Sequence, residues 1–508
     1  MPKYYFCNID FAKHLTGIER SSIQRANLFV EHLNIVPQML TLKLNLDSHV
    51  VWEEYKLAGL VNHNIPLVNM YDDLLKISEG AHLPATSLIF SNGWNVLDVE
   101  NIKVPHQKIY HPNGVMRMYI VWRDVKKTIP YYINYFVNKK KARRDKFNRY
   151  GQLAVTQYLG EKERVLKEDC YTPSGLFCIS RVFDANTRKL NLIQWFDHAS
   201  GECFIFYKEE ELAGEWLKRR FFDEGNIFFI DKHRSWSKPL NDLNKVIPQR
   251  IISVIHSIHI SDPYEDVKEG RLNSNYRNIL NSTIPVERCI VLTPHQKEDI
   301  HHRFKDTSYK LNCIPHSLTI PNIFPIFEER DPNLLVAAIR LSKEKRIEDM
   351  LHIMRLVSEY HPEKRLEIYG EGPDKKKIQA LIKELEIENF VIVKGYRQDI
   401  DKIFSRAAIS LLTSRIEGFS LATLESLAQG CPVLSYDIKY GPASMIIHEH
   451  NGWLIENGNI ESAAKILISI FNTPQKLKAI SRNAYVSTRK FSSELIASRW
   501  ASVLGLVQ

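Results

Sequence analysis

The chain has 508 residues and a formal net charge of +9, with 44% hydrophobic and 25% charged residues. This balance excludes a disordered chain, and the length predicts two or three domains. Seven cysteines lie scattered without a C-x-x-C pair, which argues against a zinc site or a disulfide framework and favours a reducing compartment. Because no apolar run is long enough for a signal peptide or a membrane span, we expect a cytoplasmic protein.

The first forty residues alternate between strand and helix patterns. The segment YYFCNID (Tyr4–Asp10) predicts a buried strand, and Gly17–Leu33 carries apolar residues at helical spacing. The strand-like segment QMLTLKL follows. A strand, a glycine-containing loop, a helix and a second strand are typical of the βαβ opening of a nucleotide-binding sheet.

The hydrophobic period changes between about His106 and Phe206. Short segments of aromatic and β-branched residues, separated by turns such as DANTRK and DHASGE, predict an antiparallel β insertion. The insertion contains NKKKARR (Asn138–Arg144), the densest basic run of the chain. Three interpretations of this run stay open: a solvated loop, a site for a phosphate-rich acceptor polymer, and a site for anionic lipid.

Regular alternation resumes at Asn226 and continues to the C-terminal end. Thr293 and Pro294 predict the start of a helix, and the proline-containing segment Thr319–Asn333 predicts a linker. Strands alternating with helices of 10 to 15 residues then predict a parallel, doubly wound sheet. We expect an N-terminal Rossmann-like domain (1–75 and 213–325), the β insertion (76–212), a C-terminal Rossmann-like domain (326–490) and a last helix (491–508) that packs back toward the N-terminal domain.

Polar residues follow several predicted strands of the C-terminal sheet, where parallel sheets bind their ligands. Arg340 and Lys345 follow LLVAAI, Tyr396 follows FVIVKG, and Glu417 follows AAISLLTS. Glu425 lies on the next predicted helix, at the border of its apolar face. These residue types predict a pocket that holds both hydroxyl groups and phosphates.

The charges of these residues indicate a sugar nucleotide as the ligand. Glu417 and Glu425 would accept hydrogen bonds from sugar hydroxyls, because a carboxylate beside an apolar face needs such donors. Arg340 and Lys345 would neutralise a diphosphate without a metal, and the helix N-terminus would offer N–H groups to phosphate oxygens. The alternatives are an ordinary acid in the first helical turn for Glu417 and a solvated loop for the two cations.

The segment EGFSLATLE resembles the E-x7-E motif of retaining glycosyltransferases of family 4, enzymes with the GT-B fold of two Rossmann-like domains. The motifs R-x4-K, YGEGP and KGY precede it in the expected order. The segment from Tyr436 to Ile460 is similar to the α-glycosyltransferases of wall teichoic acid and to the enzymes that begin O-glycosylation of serine-rich adhesins. Both groups carry an antiparallel β insertion in the N-terminal domain.

The resemblance implies roles for individual residues. Glu425 would hold the ribose of the donor and Glu417 the donor sugar, while Arg340 and Lys345 would bind the diphosphate. Tyr396 would lie beside the uracil. The resemblance also places His256 beside the reacting sugar, Gly17 near the donor phosphates, and Gly418, Phe419, Ser420 and Leu421 in the donor site, and it makes His256, Glu417, Arg340 and Lys345 the catalytic set.

The resulting expectation is a metal-independent retaining hexosyltransferase with no bound cofactor. It would move glucose or GlcNAc from UDP-glucose or UDP-GlcNAc to a hydroxyl of a poly(ribitol- or glycerol-phosphate) teichoic acid. The alternatives are an O-glycosyltransferase that uses UDP-GlcNAc on Ser or Thr of a serine-rich adhesin, and a non-catalytic partner subunit that binds glycan or protein. Contact with the inner face of the cell membrane and homo-oligomers formed through the β insertion are further hypotheses; nucleic acid is not expected as a partner.

Overall fold

The computed structural model describes residues 2–88, 93–99, 104–305, 307–321 and 323–506. The predicted insertion, linker and last helix therefore lie partly outside the described residues, at 89–92, 100–103, 322 and 507–508. The chain divides into two compact units, Met1–Glu19 with Val36–Ile251 and Arg20–Ile35 with Ile252–Gln508. This division falls at other positions than the predicted domain boundaries, which stay predictions.

The first unit opens with the predicted βαβ pattern. All four residues of its first strand are buried, as expected for a strand covered on both faces. The helix that follows has the bounds that its apolar spacing predicts, and most of it belongs to the second unit. The elements in chain order are β1 (Tyr4–Cys7), α1 (Gly17–Leu33), β2 (Gln38–Thr41), α2 (Ser48–Leu57), β3 (Leu67–Asn69) and α3 (Met70–Leu74).

The predicted insertion is a ten-stranded antiparallel sheet in which each strand pairs with its neighbours in sequence. Its most buried cluster joins Ile109, Ile120 and Ile133 to Trp122 and Phe147. The strands are β4 (Asn95–Asp98), β5 (His106–Tyr110), β6 (Met116–Trp122), β7 (Pro130–Val137), β8 (Lys140–Phe147), β9 (Leu153–Leu159), β10 (Val165–Tyr171), β11 (Phe177–Phe183), β12 (Leu190–Asp197) and β13 (Glu202–Phe206).

The basic run lies mainly on strand β8, so its interpretation as a solvated loop is wrong. Lys141 donates to Glu163 at 3.0 Å, and Arg144 donates to Asn134 at 2.7 Å. Arg143 forms two hydrogen bonds of 2.7 Å with Asp145. Two acids of the insertion, Glu163 and Asp145, thus offset part of the positive charge of the run.

The first unit closes with α4 (Glu209–Arg220), β14 (Ile227–Ile230) and α5 (His233–Asn244). Its parallel strands lie in the order β14-β1-β2-β3. Strand β14 pairs with β1 although the two are far apart in sequence. The connection that contains the insertion returns the chain to the side of β1 that is opposite β2. The first unit is therefore a parallel α/β sheet with a large antiparallel insertion.

The second unit begins with a short parallel set, in the order β15-β16-β17. The helix after β16 starts as its sequence predicts, because Thr293 accepts a hydrogen bond from the backbone N–H of Gln296 at 3.3 Å and proline follows it. The elements are β15 (Arg250–Val254), α6 (Arg277–Leu280), β16 (Arg288–Val291), α7 (Pro294–Arg303) and β17 (Lys310–Cys313).

The predicted second α/β sheet has six parallel strands. Its first strand begins at Asp331, so the strand takes the last residues of the predicted linker. The elements are β18 (Asp331–Ala338), α8 (Ile347–Ser358), β19 (Arg365–Tyr369), α9 (Lys375–Glu384), β20 (Val391–Gly395), α10 (Ile400–Arg406), β21 (Ala407–Leu412), α11 (Leu421–Ala428), β22 (Val433–Tyr436), α12 (Gly441–Met445), β23 (Gly452–Ile455), α13 (Ile460–Phe471), α14 (Pro474–Ser487) and α15 (Ser493–Leu504).

The order of this sheet is β20-β19-β18-β21-β22-β23. The chain runs outward from β18 to β20 and then returns to the other side of β18, so the order reverses between β18 and β21. Helix α15 ends the described chain, and its Trp500 packs edge-on against Phe29 of α1 at 5.7 Å. None of the described helices combines the length and the apolar character that crossing a bilayer requires.

Candidate functional site

The loops that follow β18 and β21 carry the predicted charged residues. Arg340 lies two residues after β18, Lys345 ends a short 3-10 turn in the same loop, and Glu417 lies in the loop after β21. In doubly wound sheets the reversal of strand order opens a crevice at the carboxyl ends of the two central strands. The structure therefore brings Arg340, Lys345 and Glu417 to the edge of the sheet where a ligand is expected.

Glu417 and Lys345 form a direct ion pair. The Nζ atom of Lys345 lies 2.5 Å from Oε1 of Glu417, and Ser414 donates to the same oxygen at 2.7 Å. The Thr413 hydroxyl donates to the carbonyl oxygens of Lys345 and Arg346 at 3.1 and 2.8 Å, which joins the two loops. Because both charged side chains are largely buried, their attraction is screened less than at an open surface.

The backbone at Gly418 lies against the backbone of His256. A Cβ atom at position 418 would lie 2.0 Å from the carbonyl oxygen of His256, so only glycine fits. The His256 ring stacks on His316 with the centroids 5.5 Å apart, and His316 meets the Phe419 ring edge-on at 5.2 Å. His256, Gly418 and Phe419 are predicted site residues that lie in one chain of contacts. His316, whose ring contacts those of His256 and Phe419, was not predicted.

Helix α11 begins at Leu421, later than the sequence pattern indicates. Ser420 is its N-cap, and the Ser420 hydroxyl accepts a hydrogen bond from the backbone N–H of Thr423 at 3.4 Å. Glu417 lies before this cap, so its interpretation as an acid of the first helical turn is wrong. The first turn of α11 leaves backbone N–H groups without helical partners beside the Glu417 loop.

Glu425 is buried, and its counter-ion comes from helix α1. The Oε1 atom lies 3.2 Å from Nη2 of Arg20, yet it is buried and accepts no hydrogen bond from the residues that the structure describes. Burial raises the pKa of Glu425, Arg20 lowers it, and Asp401 raises it further. Arg20 was not predicted from the sequence, although it lies about one turn after Gly17, a predicted donor residue.

Three other predicted donor residues, Arg340, Tyr396 and Gly17, take part in none of the contacts given above. Arg340 is exposed and forms no ion pair with the described residues. Tyr396 follows β20, the edge strand that lies two strands away from the reversal point, and is 37% exposed. Gly17 is the first residue of α1, and a Cβ atom there would meet no atom within 4 Å, so packing does not require glycine.

A second polar cluster supports the Glu417 loop from the segment after β22. The backbone N–H of Tyr440 donates to the Glu417 carbonyl at 2.7 Å, and the Tyr440 hydroxyl donates to Asp299 at 3.0 Å. The same hydroxyl lies 3.4 Å from Nδ1 of His259. His259 is fully buried, as expected for a core histidine, while the roles of Tyr440 and Asp299 were not predicted.

Known proteins are similar to this chain over most of its length. Residues 320–487 match the family model described as Glycosyl transferases group 1. The chain is 24% identical to the poly(glycerol-phosphate) alpha-glucosyltransferase of Bacillus subtilis (strain 168), over an alignment of 524 positions that covers 99% of this chain and 74% of that protein. It is 23% identical to the poly(ribitol-phosphate) alpha-N-acetylglucosaminyltransferase of Staphylococcus aureus (strain COL), covering 96% of both chains.

The fold also matches a solved structure. The pneumococcal O-GlcNAc transferase GtfA in complex with UDP and GlcNAc superposes with a TM-score of 0.82 at 19% identity, over 99% of both chains. This likeness confirms the expected fold class, GT-B with an antiparallel β insertion. Residues 320–487 are therefore a group 1 glycosyltransferase domain, in a chain that has the GT-B fold.

Proposed function

We propose that this protein is a retaining glycosyltransferase that moves glucose or GlcNAc from a UDP-sugar to a hydroxyl of a poly(glycerol- or ribitol-phosphate). The observation that carries the proposal is the 2.5 Å contact between Lys345 and Glu417 at the strand-order reversal, with exposed Arg340 in the same loop as Lys345. One acid and two cations at this place suit a ligand with hydroxyls and a diphosphate. The names of the two teichoic-acid relatives support the acceptor class.

Lys345 and Arg340 stabilise the leaving diphosphate in this proposal. Negative charge grows on the diphosphate as the bond to the sugar breaks, and fixed cations in a sheltered site offset it without a metal. Glu417 orients Lys345 in the free protein and accepts a hydrogen bond from a hydroxyl of the bound sugar. A carboxylate that binds both Lys345 and the sugar hydroxyl keeps the Lys345 ammonium in place before and during the reaction.

The other predicted residues take supporting roles. Glu425 accepts hydrogen bonds from the ribose hydroxyls, since its Oε1 is buried and no described residue donates a hydrogen bond to it. His256, held against Gly418, lies beside the reacting sugar, and Tyr396 contributes to the uracil side. The proposed location is the cytoplasm, which supplies nucleotide sugars. Membrane contact and assembly through strands β4–β13 stay predictions.

Transfer to defined acceptors tests the proposal. The protein is incubated with labelled UDP-glucose or UDP-GlcNAc and either poly(glycerol phosphate) or poly(ribitol phosphate). We expect labelled polymer with the α configuration by NMR, and Glu417→Gln should lower kcat/KM by roughly 10² or more. The matched control is Glu388→Gln, which changes an exposed acid that forms no ion pair within the described part of the chain. A β-linked product would refute retention, and full activity of Glu417→Gln would refute the site.

The second candidate is an O-GlcNAc transferase that acts on protein, which the likeness to pneumococcal GtfA favours. A serine-rich peptide serves as the competing acceptor in the same assay. Transfer to the peptide with none to either polymer would replace our acceptor while leaving the donor site unchanged. A protein that binds neither UDP-sugar nor UDP would instead be a non-catalytic partner subunit.

A further inference from the structure

We infer that Arg20 is a positioning residue for the donor: it keeps Glu425 ionised so that the carboxylate can accept the ribose hydroxyls. The inference rests on the proposed function, in which Glu425 binds the ribose. It assigns a role to a residue on α1, remote in sequence from the group 1 glycosyltransferase domain at 320–487.

The geometry of the pair carries the inference. Glu425 is only 9% exposed, and its Oε1 accepts no hydrogen bond from the described residues. A buried carboxylate without donors is costly, and a native structure that keeps one usually reserves it for a ligand. The Nη2 atom of Arg20 lies 3.2 Å from this oxygen and supplies the only cationic contact made to it by the described residues.

Two charged groups act on Glu425, and they oppose each other. Helix α10 contributes Asp401, which together with burial raises the pKa of Glu425, whereas Arg20 from α1 lowers it. The other elements packed on α11, including α12, α14 and β22, add no charged group that shifts this pKa among the described residues. Without Arg20, both remaining influences favour the protonated acid.

Protonation would change what Glu425 can do. A carboxylate accepts hydrogen bonds at both oxygens, whereas the protonated acid places a donor where a ribose hydroxyl must donate. Hydrogen bonds to an ionised acceptor are also roughly twice as strong as those between neutral groups. Loss of Arg20 should therefore move the pH at which nucleotide affinity declines to a higher value.

Calorimetric titration with UDP, repeated at several pH values between about 5.5 and about 8, tests this role. For Arg20→Gln we expect the Kd to rise about tenfold relative to the wild type at the acidic end and by less than about threefold at the basic end. Arg20→Lys should restore most of the wild-type profile, because it keeps the charge. The control is Arg482→Gln, which removes an exposed cation of the same unit and should leave the profile unchanged.

A double variant separates positioning from direct contact with UDP. If Arg20 acts through Glu425, then Arg20→Gln combined with Glu425→Gln should bind UDP as weakly as Glu425→Gln alone. Glu425→Gln should also show a smaller pH dependence than the wild type, and this readout stands even if Arg20→Gln fails to fold. Three outcomes would each overturn the inference. They are a weaker affinity for UDP in the double variant than in Glu425→Gln, a wild-type pH profile in Arg20→Gln, and an unchanged pH dependence in Glu425→Gln.

Failure of the proposed function gives a different result. A wild-type protein that binds neither UDP nor a UDP-sugar at any pH would refute the donor site, and the role of Arg20 would fall with it. Wild-type binding together with an Arg20→Gln profile that matches the wild type would refute the role of Arg20 alone.

Discussion

Glu417 and Lys345 show how individual residues define the site. Each would be costly to bury alone, and their contact at 2.5 Å offsets that cost while keeping both near a ligand. Their placement could be predicted from the sequence, since each follows a recognisable buried strand. Arg20 could not be predicted in this way, because nothing near it in sequence reveals that α1 reaches Glu425 on α11.

Gly418→Ala is expected to lower kcat/KM by roughly 10², because misplacing a catalytic loop by about 1 Å has effects of this size. The added Cβ would lie 2.0 Å from the His256 carbonyl oxygen, and backbone cannot yield as a flexible side chain does. Steady-state kinetics and thermal melting measure the change. Gly214→Ala is the control, since its nearest atom is 3.8 Å away; a Gly418→Ala protein with wild-type kcat/KM would contradict the close approach.

At the scale of elements, a buried polar network fastens the β insertion to the rest of the first unit. Arg181 on β11 donates to Glu168 on β10 at 2.7 Å and to Glu209 at the start of α4 at 3.1 Å. Tyr71 of α3 donates to Glu209 at 2.7 Å, and Gln157 of β9 donates to Glu168 at 2.7 Å. One guanidinium thus connects two strands of the insertion with two helices outside it.

Arg181→Ala should destabilise the protein by about 3 to 5 kcal/mol, because it leaves the largely buried Glu168 without its cation. Urea unfolding followed by circular dichroism measures the change in the free energy of unfolding. Lys189→Ala removes an exposed cation from the connection between β11 and β12 and should stay within about 0.5 kcal/mol of the wild type. Equal stability of the two variants would show that the network does not hold the insertion in place.

For the whole molecule, the net charge of +9 favours an anionic acceptor. Long-range attraction between a cationic protein and a polyanion depends on ionic strength, whereas a sheltered ion pair such as Lys345 with Glu417 depends on it less. The basic run on β8 contributes less to this attraction than its sequence suggests, since Glu163 and Asp145 pair with its cations.

Raising NaCl from about 0.1 M to about 1 M shortens the Debye length from about 10 Å to about 3 Å. We expect the KM for poly(glycerol phosphate) to rise by roughly tenfold or more, with a smaller change in the KM for the UDP-sugar. Initial rates at both salt concentrations provide the measurement, and an uncharged serine peptide serves as the control acceptor. A polymer KM that is insensitive to salt would argue against recognition of the acceptor by charge.

Most of the secondary structure and the two charged loops of the C-terminal sheet could be predicted from the sequence. Helix α1, the Thr293 cap and the antiparallel insertion could be predicted because hydrophobic period and capping chemistry act over a few neighbouring residues. The tertiary structure alone decided the pairing of Arg20 with Glu425 and the place of His316 between His256 and Phe419. Such contacts join residues that are far apart in sequence. They depend on which helix faces and loops the packed core brings together, and a pattern of neighbouring residues does not predict this.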